Sequence, residues 1–172
     1  MIKLDLLRSA HLVFKKLPRK LKDSGSFTIE ITVRKQVIAR ALCDLGASIN
    51  LISSSLFTKL WLGNPRPTTM IFQLADRSLA RPEGIIEDVH IQVGSLIFLA
   101  VFVILEFKLD LEVPFILGRP FLATGRALID AVSGQLTMRV HDKFEVFNMY
   151  KALKLPAIYE ELSAITVVND KD

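Results

Sequence analysis

Among the groups in this chain able to do chemistry, one carboxylate is set apart by its neighbours. In Ala41-Leu42-Cys43-Asp44-Leu45-Gly46-Ala47-Ser48-Ile49-Asn50, a largely apolar, strand-like run from Val37 to Leu42 stops at Asp44, and Gly46 with two small residues follows. An unpaired carboxylate is costly to bury, so an acid at the end of an apolar strand needs a reason. A glycine two residues on permits close backbone approach. Two readings stand: a strand ending in an ordinary turn, and a loop built to hold a reactive carboxylate. Other chemistry is sparse. No His/Cys cluster offers zinc ligands, and neither a phosphate-binding glycine-rich loop nor Gly-x-Ser-x-Gly occurs. Cys43 has no histidine pattern to activate it and reads as a small buried hydrophobe. Glu106, Asp110 and Glu112 fit no cation-binding spacing and read as a solvated acidic loop. No metal and no cofactor is expected.

A carboxylate so placed depends on the elements around it. Phe27, Ile29, Ile31 and Val33 alternate with Thr28, Glu30, Thr32 and Arg34, the period of a half-buried strand. Arg34-Lys35-Gln36 makes a hairpin turn, and Val37 to Leu42 is the returning strand that delivers Asp44. Beyond the loop, Ser53, Ser54 and Ser55 offer a helix N-cap, with Leu56, Phe57, Leu60 and Trp61 as one apolar face. Gly63, Pro65 and Pro67 end that short helix. Met70 to Leu74, a polar tip at Ala75-Asp76-Arg77-Ser78 and an arm toward Gly84 form a second hairpin. Val89, Ile91 and Val93 alternate with His90 and Gln92, which turns His90 toward solvent. Gly94-Ser95 leads into Leu96 to Leu105, an unbroken apolar run expected to be buried on both faces. Val113 to Leu117 is another core strand, ending at Gly118-Arg119. Pro120 opens a short helix that Gly125 stops. Leu128-Ile129, Leu136 to Val140 and Phe144 to Phe147 are the last strands, with Ser133-Gly134 as a turn. A short helix and a tail follow Asn148. Many short strands and few helices make an all-β barrel or sandwich.

The chain has 172 residues, 51% of them apolar, which suits one domain with a core of ordinary size. A single cysteine excludes an internal disulfide framework and fits a reducing, cytoplasmic compartment. The net charge of +4 divides unevenly, with +7 on residues 1–40 and −3 on the remainder. The basic stretch Leu12 to Lys20 has no aromatic interleaving and no binding motif, so it reads as a solvated linker. Nucleic acid is not expected as a partner. Leu96 to Leu105 is about half the length of a membrane-spanning helix. Met1 to Leu17 lacks the clean apolar core of a signal peptide, and no membrane partner is expected.

Two stretches taken together carry a resemblance. Cys43-Asp44-Leu45-Gly46-Ala47-Ser48 and, downstream, Phe115-Ile116-Leu117-Gly118-Arg119-Pro120-Phe121-Leu122 resemble the retropepsins. The nearest likeness is to the protease segment of plant gypsy-type retrotransposon gag-pol polyproteins. It extends over Leu21 to Phe27, Gln73 to Ser78, Gly125 to Asp130 and Phe147 to Leu153. The resemblance implies a basic leader over 1–22, a protease domain over 23–150 and a linker toward a reverse transcriptase over 151–172. The implied fold is an all-β, retropepsin-like closed β-barrel, the acid protease fold, with two short helices. The implied activity is an aspartic endopeptidase that processes its own polyprotein as a symmetric homodimer, with a polypeptide as substrate. Asp44 is then catalytic, and Leu45, Gly46, Ala47 and Ser48 form the active-site loop. Ala75, Asp76, Arg77 and Ser78 form the flap, and Gly118 and Arg119 support the loop from behind. Counting agrees with the homodimer, since the reaction needs two carboxylates and the chain offers one such loop.

Two positions depart from the family pattern. Thr or Ser usually follows the catalytic Asp and hydrogen-bonds beneath the dyad; here Leu45 makes no such bond. Many viral relatives carry an acid where Ser48 stands, paired with the arginine at the Arg119 position. The alternative function is therefore a catalytically weak or inactive retropepsin-like module of transposon origin, retained for dimerisation or binding.

Overall fold

The computed structural model describes residues 26–74, 77–106 and 113–149, together with the backbone of 166–168. Strands β1 (Ser26–Val33) and β2 (Val37–Asp44) form a hairpin paired along its whole length, from Val33↔Val37 to Ser26↔Asp44. Alternation along β1 turns Phe27, Ile29, Ile31 and Val33 inward. The turn between them is tight: Gln36 N–H donates to the Val33 carbonyl at 3.1 Å, and Arg34 (φ 49) and Lys35 (φ 60) are both left-handed. Two left-handed residues give a turn whose twist matches the paired strands, usually with Asn or Gly. Here Arg34 is fixed from outside. Its guanidinium donates to the carbonyls of Trp61 at 2.9 Å and Leu62 at 2.6 Å.

The chain continues through β3 (Leu51–Ser53), α1 (Ser54–Leu60), β4 (Ile71–Gln73), β5 (Leu79–Ala80), β6 (Gly84–Val93), β7 (Leu96–Leu105) and β8 (Phe115–Leu117). It ends with α2 (Arg119–Thr124), β9 (Leu128–Asp130), β10 (Gln135–Val140), β11 (Lys143–Asn148) and β12 (Thr166–Val168). Six strands close a barrel in the order β1-β2-β8-β3-β7-β6, with β6 returning to β1. Two three-stranded sheets accompany it, β11-β10-β9 and β12-β4-β5. The protein is thus the expected all-β closed barrel with two short helices.

Alternation along the barrel strands sorts their side chains into two apolar clusters. The larger fills the interior with Phe27, Ile31, Cys43, Ile91, Phe102, Phe115 and their neighbours. Phe102 meets Phe115 edge to face at 5.6 Å, and Phe98 meets Phe121 of α2 in the same way at 5.4 Å. Burying each such side chain contributes about 1.5–3 kcal/mol, so the closed interior dominates stability. The smaller cluster takes the alternate residues, Leu42, Leu51, Val103, Leu105 and Ile116, and adds Ala47, Phe72, Ile85 and Val113.

Two expectations are corrected. The run Leu96 to Leu105 is buried on both faces only from Phe102 onward; Ile97, Leu99 and Val101 are exposed on the outer side. The smaller cluster covers that outer side at Val103 and Leu105 and reaches no further along β7. Trp61 is not on the apolar face of α1. It follows the helix in a left-handed conformation (φ 49, ψ 49) that swings its side chain out to 86% exposure, while Leu56, Phe57 and Leu60 pack on the core. His90 faces solvent as expected. Asp110, Glu112 and the short helix expected after Asn148 lie outside the described residues, apart from Met149.

Candidate functional site

The C-terminal end of β2 lies within the sheet. Its last residues are flanked by β1 on one side (Ser26↔Asp44) and by β8, running parallel, on the other (Cys43↔Leu117). Asp44 is consequently only 4% exposed, and with Asn50 and Ser53 it makes up the buried polar side chains of the described residues. The chain then swings outward, exposing Leu45 (40%) and Gly46, and returns through Ala47 into the smaller cluster. The turn closes on the acid itself. Gly46 N–H donates to Asp44 Oδ1 at 2.8 Å, and Ala47 N–H donates to the Asp44 carbonyl at 3.3 Å. Burial pushes the Asp44 carboxyl above its ordinary range, against the lowering effect of the Gly46 and Ala47 N–H groups. A carboxyl in that state is a stronger base than one on the surface and holds its proton more tightly. The neighbouring Cys43 thiol is pushed far above the ordinary thiol range by burial and then by the Asp44 charge. It stays protonated and is no nucleophile.

Asn50, to which sequence reading gave no role, anchors the far end of the loop. Its Oδ1 accepts from Gly118 N–H at 2.8 Å, and its Nδ2 donates to the Val101 carbonyl at 3.0 Å. Its own carbonyl accepts from Val103 N–H at 2.9 Å. One buried residue therefore ties the loop to β7 and to the β8–α2 junction. A methyl group at Gly118 would run into the carbonyl oxygens of Ile49 and Ala47, so any side chain there displaces the loop. Arg119 N–H donates to the Ala47 carbonyl at 3.0 Å, while the Arg119 side chain is exposed. Asp44, Leu45, Gly46, Ala47 and half-buried Ser48 are thus backed by Gly118 and by the main chain of Arg119.

The hairpin of β4 and β5 pairs Phe72 with Ala80 and Gln73 with Leu79. Leu74 N–H donates to the Ser78 carbonyl at 2.9 Å, and Arg77 N–H donates to the Leu74 carbonyl at 2.9 Å. Ala75 and Asp76, the expected tip of the flap, lie outside the described residues. The base of the hairpin shares its packing with the Asp44 loop, since fully buried Phe72 sits in one cluster with Ala47 and Leu42. Among the described residues, no group of His, Cys, Asp and Glu is arranged to hold a metal ion, and no helix is long and apolar enough to cross a membrane. What the arrangement offers is one buried carboxyl of raised pKa, fixed on a braced loop beside a hairpin.

No family model and no curated protein matches this chain. Among solved structures it is similar to the retroviral protease-like domain of Ddi1 from Leishmania major, with 18% identity and a TM-score of 0.49 over 65% of this chain and 85% of that one. It is also similar to EIAV protease complexed with an inhibitor, with 15% identity and a TM-score of 0.47 over 60% and 91% of the two chains. A retropepsin-like aspartic protease from Rickettsia conorii gives 19% identity and a TM-score of 0.43 over 71% and 81%.

Proposed function

We propose that this chain is one half of an aspartic endopeptidase, in which Asp44 of each of two copies acts on a shared water to hydrolyse a peptide bond. The supporting observation is the single buried acid of the described residues, placed at the end of β2, held by Gly46 N–H and braced through Asn50 and Gly118. One carboxyl is half of what the reaction needs, and an isologous dimer supplies the other. Two carboxylates brought that close do not both ionise, so the pair holds one proton between them and titrates as a unit. The ionised carboxylate takes a proton from water as its oxygen attacks the carbonyl carbon. The protonated one donates to the carbonyl oxygen. Collapse of the tetrahedral intermediate breaks the C–N bond, and the leaving nitrogen takes up the proton.

The segment from Ala75 to Ser78 acts as the flap over the bound peptide in this reading, and Leu45, Gly46, Ala47 and Ser48 line the floor. The substrate, a retrotransposon polyprotein of plant gypsy type processed in the cytoplasm, is proposed from the sequence motifs alone. The test is incubation of the purified chain with a peptide library at mildly acidic pH, with and without pepstatin. Pepstatin-sensitive cleavage that disappears in Asp44→Asn is the expected result. A folded, dimeric protein that cleaves nothing overturns the enzyme and leaves a binding module.

A further inference from the structure

Strand β4 is the middle strand of the sheet β12-β4-β5, so both of its edges are occupied. One edge belongs to β5, its hairpin partner. The other is taken by Thr166–Val168, antiparallel, in the register Thr166↔Gln73, Val167↔Phe72 and Val168↔Ile71. Among the described strands, β12 pairs with β4 alone. This is the geometry of an extended peptide added to a sheet edge, with the peptide supplied by the same chain.

Three features make the contact exchangeable. The pairing is three residues long, and the net gain from so few backbone hydrogen bonds is similar in size to the cost of ordering three residues. The strand beneath it has a support of its own, because Phe72 packs in one cluster with Leu42 and Ala47. When β12 leaves, an ordered edge with unpaired N–H and C=O groups remains, which is a template for another strand. Finally, the tether makes rebinding intramolecular, so a weak strand still competes with free peptides.

We infer that the outer edge of β4 is a docking edge for an extended polypeptide, and that Thr166–Val168 is its resident, displaceable occupant. The ligand class is an extended segment read mainly through its main chain, with β-branched apolar residues of the Thr-Val-Val kind. Because β4 carries the hairpin and shares its packing with the Asp44 loop, occupancy of the edge is coupled to the candidate active site. That coupling rests on the protease reading: the chain with its edge occupied by the tail cleaves peptides more slowly than the chain with its edge free.

The test uses the full chain with Val167→Pro and, separately, Thr166→Pro combined with Val168→Pro. Proline has no N–H, so between them the two variants remove every donor β12 can present to β4, whichever alternation faces it. Amide hydrogen exchange is expected to accelerate about tenfold or more, in at least one variant, at those of Ile71, Phe72 and Gln73 whose N–H turns toward β12. A synthetic peptide of residues 160–172 is expected to slow it again in a saturable way. A measurement on the parent guards against misfolded variants: labelled peptide binds the parent weakly and a folded proline variant about tenfold or more tightly. Unchanged exchange in both variants, or equal peptide binding by parent and variants, overturns the docking edge. Faster cleavage by the variants supports the coupling. Absence of cleavage by parent and variants alike overturns the protease reading, while the exchange and binding data still decide the docking edge.

Discussion

The carboxyl of Asp44 sits where burial disfavours its charge, and its pKa is raised in consequence. The folded chain therefore holds that proton more tightly than the unfolded chain does. The stability this contributes is present below the ordinary carboxyl value of 3.8 and is lost as pH rises through the folded-state value. Asp44→Asn has no charge to bury, so it is expected to melt higher than its parent at neutral pH and to lose that advantage in acid. Thermal melts of both proteins at the two pH values check the sign. The same substitution is expected to lower cleavage by at least about 10²–10⁴-fold, measured on a single peptide substrate. Asn50→Ala leaves the Gly118 N–H buried without its acceptor, at an expected cost of about 1–3 kcal/mol in urea unfolding. The two residues differ in how visible they were. A charge ending an apolar run stands out in a sequence. An Asn two residues after Ser48 and four after Gly46 looks like turn chemistry until its partners Val101 and Gly118, far away in the chain, are brought to it.

Elements show the same contrast between local and distant causes. The β1–β2 hairpin was legible because its period and its turn are both local. Its left-handed Arg34 and Lys35 are not equivalent, however, because Arg34 is held by the Trp61 and Leu62 carbonyls. Lys35→Gly is expected to stabilise by about 0.5–1 kcal/mol, as relief of left-handed strain exceeds the entropy cost of glycine. Arg34→Gly gains the same relief but loses two bonds from a charged donor, and is expected to destabilise. Melting temperatures moving in opposite directions are the check. Strand β7 is illegible for the opposite reason. Its apolar composition is uniform, whereas the cover over its outer face is supplied by Phe72, Ile85 and Val113 at one end only. Strand β12 has a β-branched composition in Ile165-Thr166-Val167-Val168, but a run that short names no partner; only the edge of β4 gives it a place.

For the whole molecule, the dimer reading makes activity a property of two chains. Specific activity is expected to fall steeply on dilution, in step with the dissociation seen by sedimentation. A specific activity that stays flat into the monomer range would contradict the reading. In that reading Leu45 lies at the dimer interface. It is 40% exposed in the single chain and stands where the family pattern has a hydroxyl. Leu45→Thr exchanges apolar area for two symmetry-related hydrogen bonds of about 0.5–1.5 kcal/mol each, so the dimer constant is expected to change little. Turnover is expected to rise, because a directional bond fixes the loop and catalysis is sensitive to small misplacement. Cleavage rate and dimer dissociation constant, measured on both forms, separate the two effects. The bond from Gly118 to Asn50 spans 68 residues, and β2 reaches its parallel partner β8 across a similar gap. Contacts between such distant parts of a chain form late and slowly. During synthesis, Asp44 leaves the ribosome well before Asn50 has anything to hold it in place. The loop is braced only after the residues around Gly118 have been made, so under the protease reading the nascent polypeptide carries Asp44 in a harmless form until the barrel has closed.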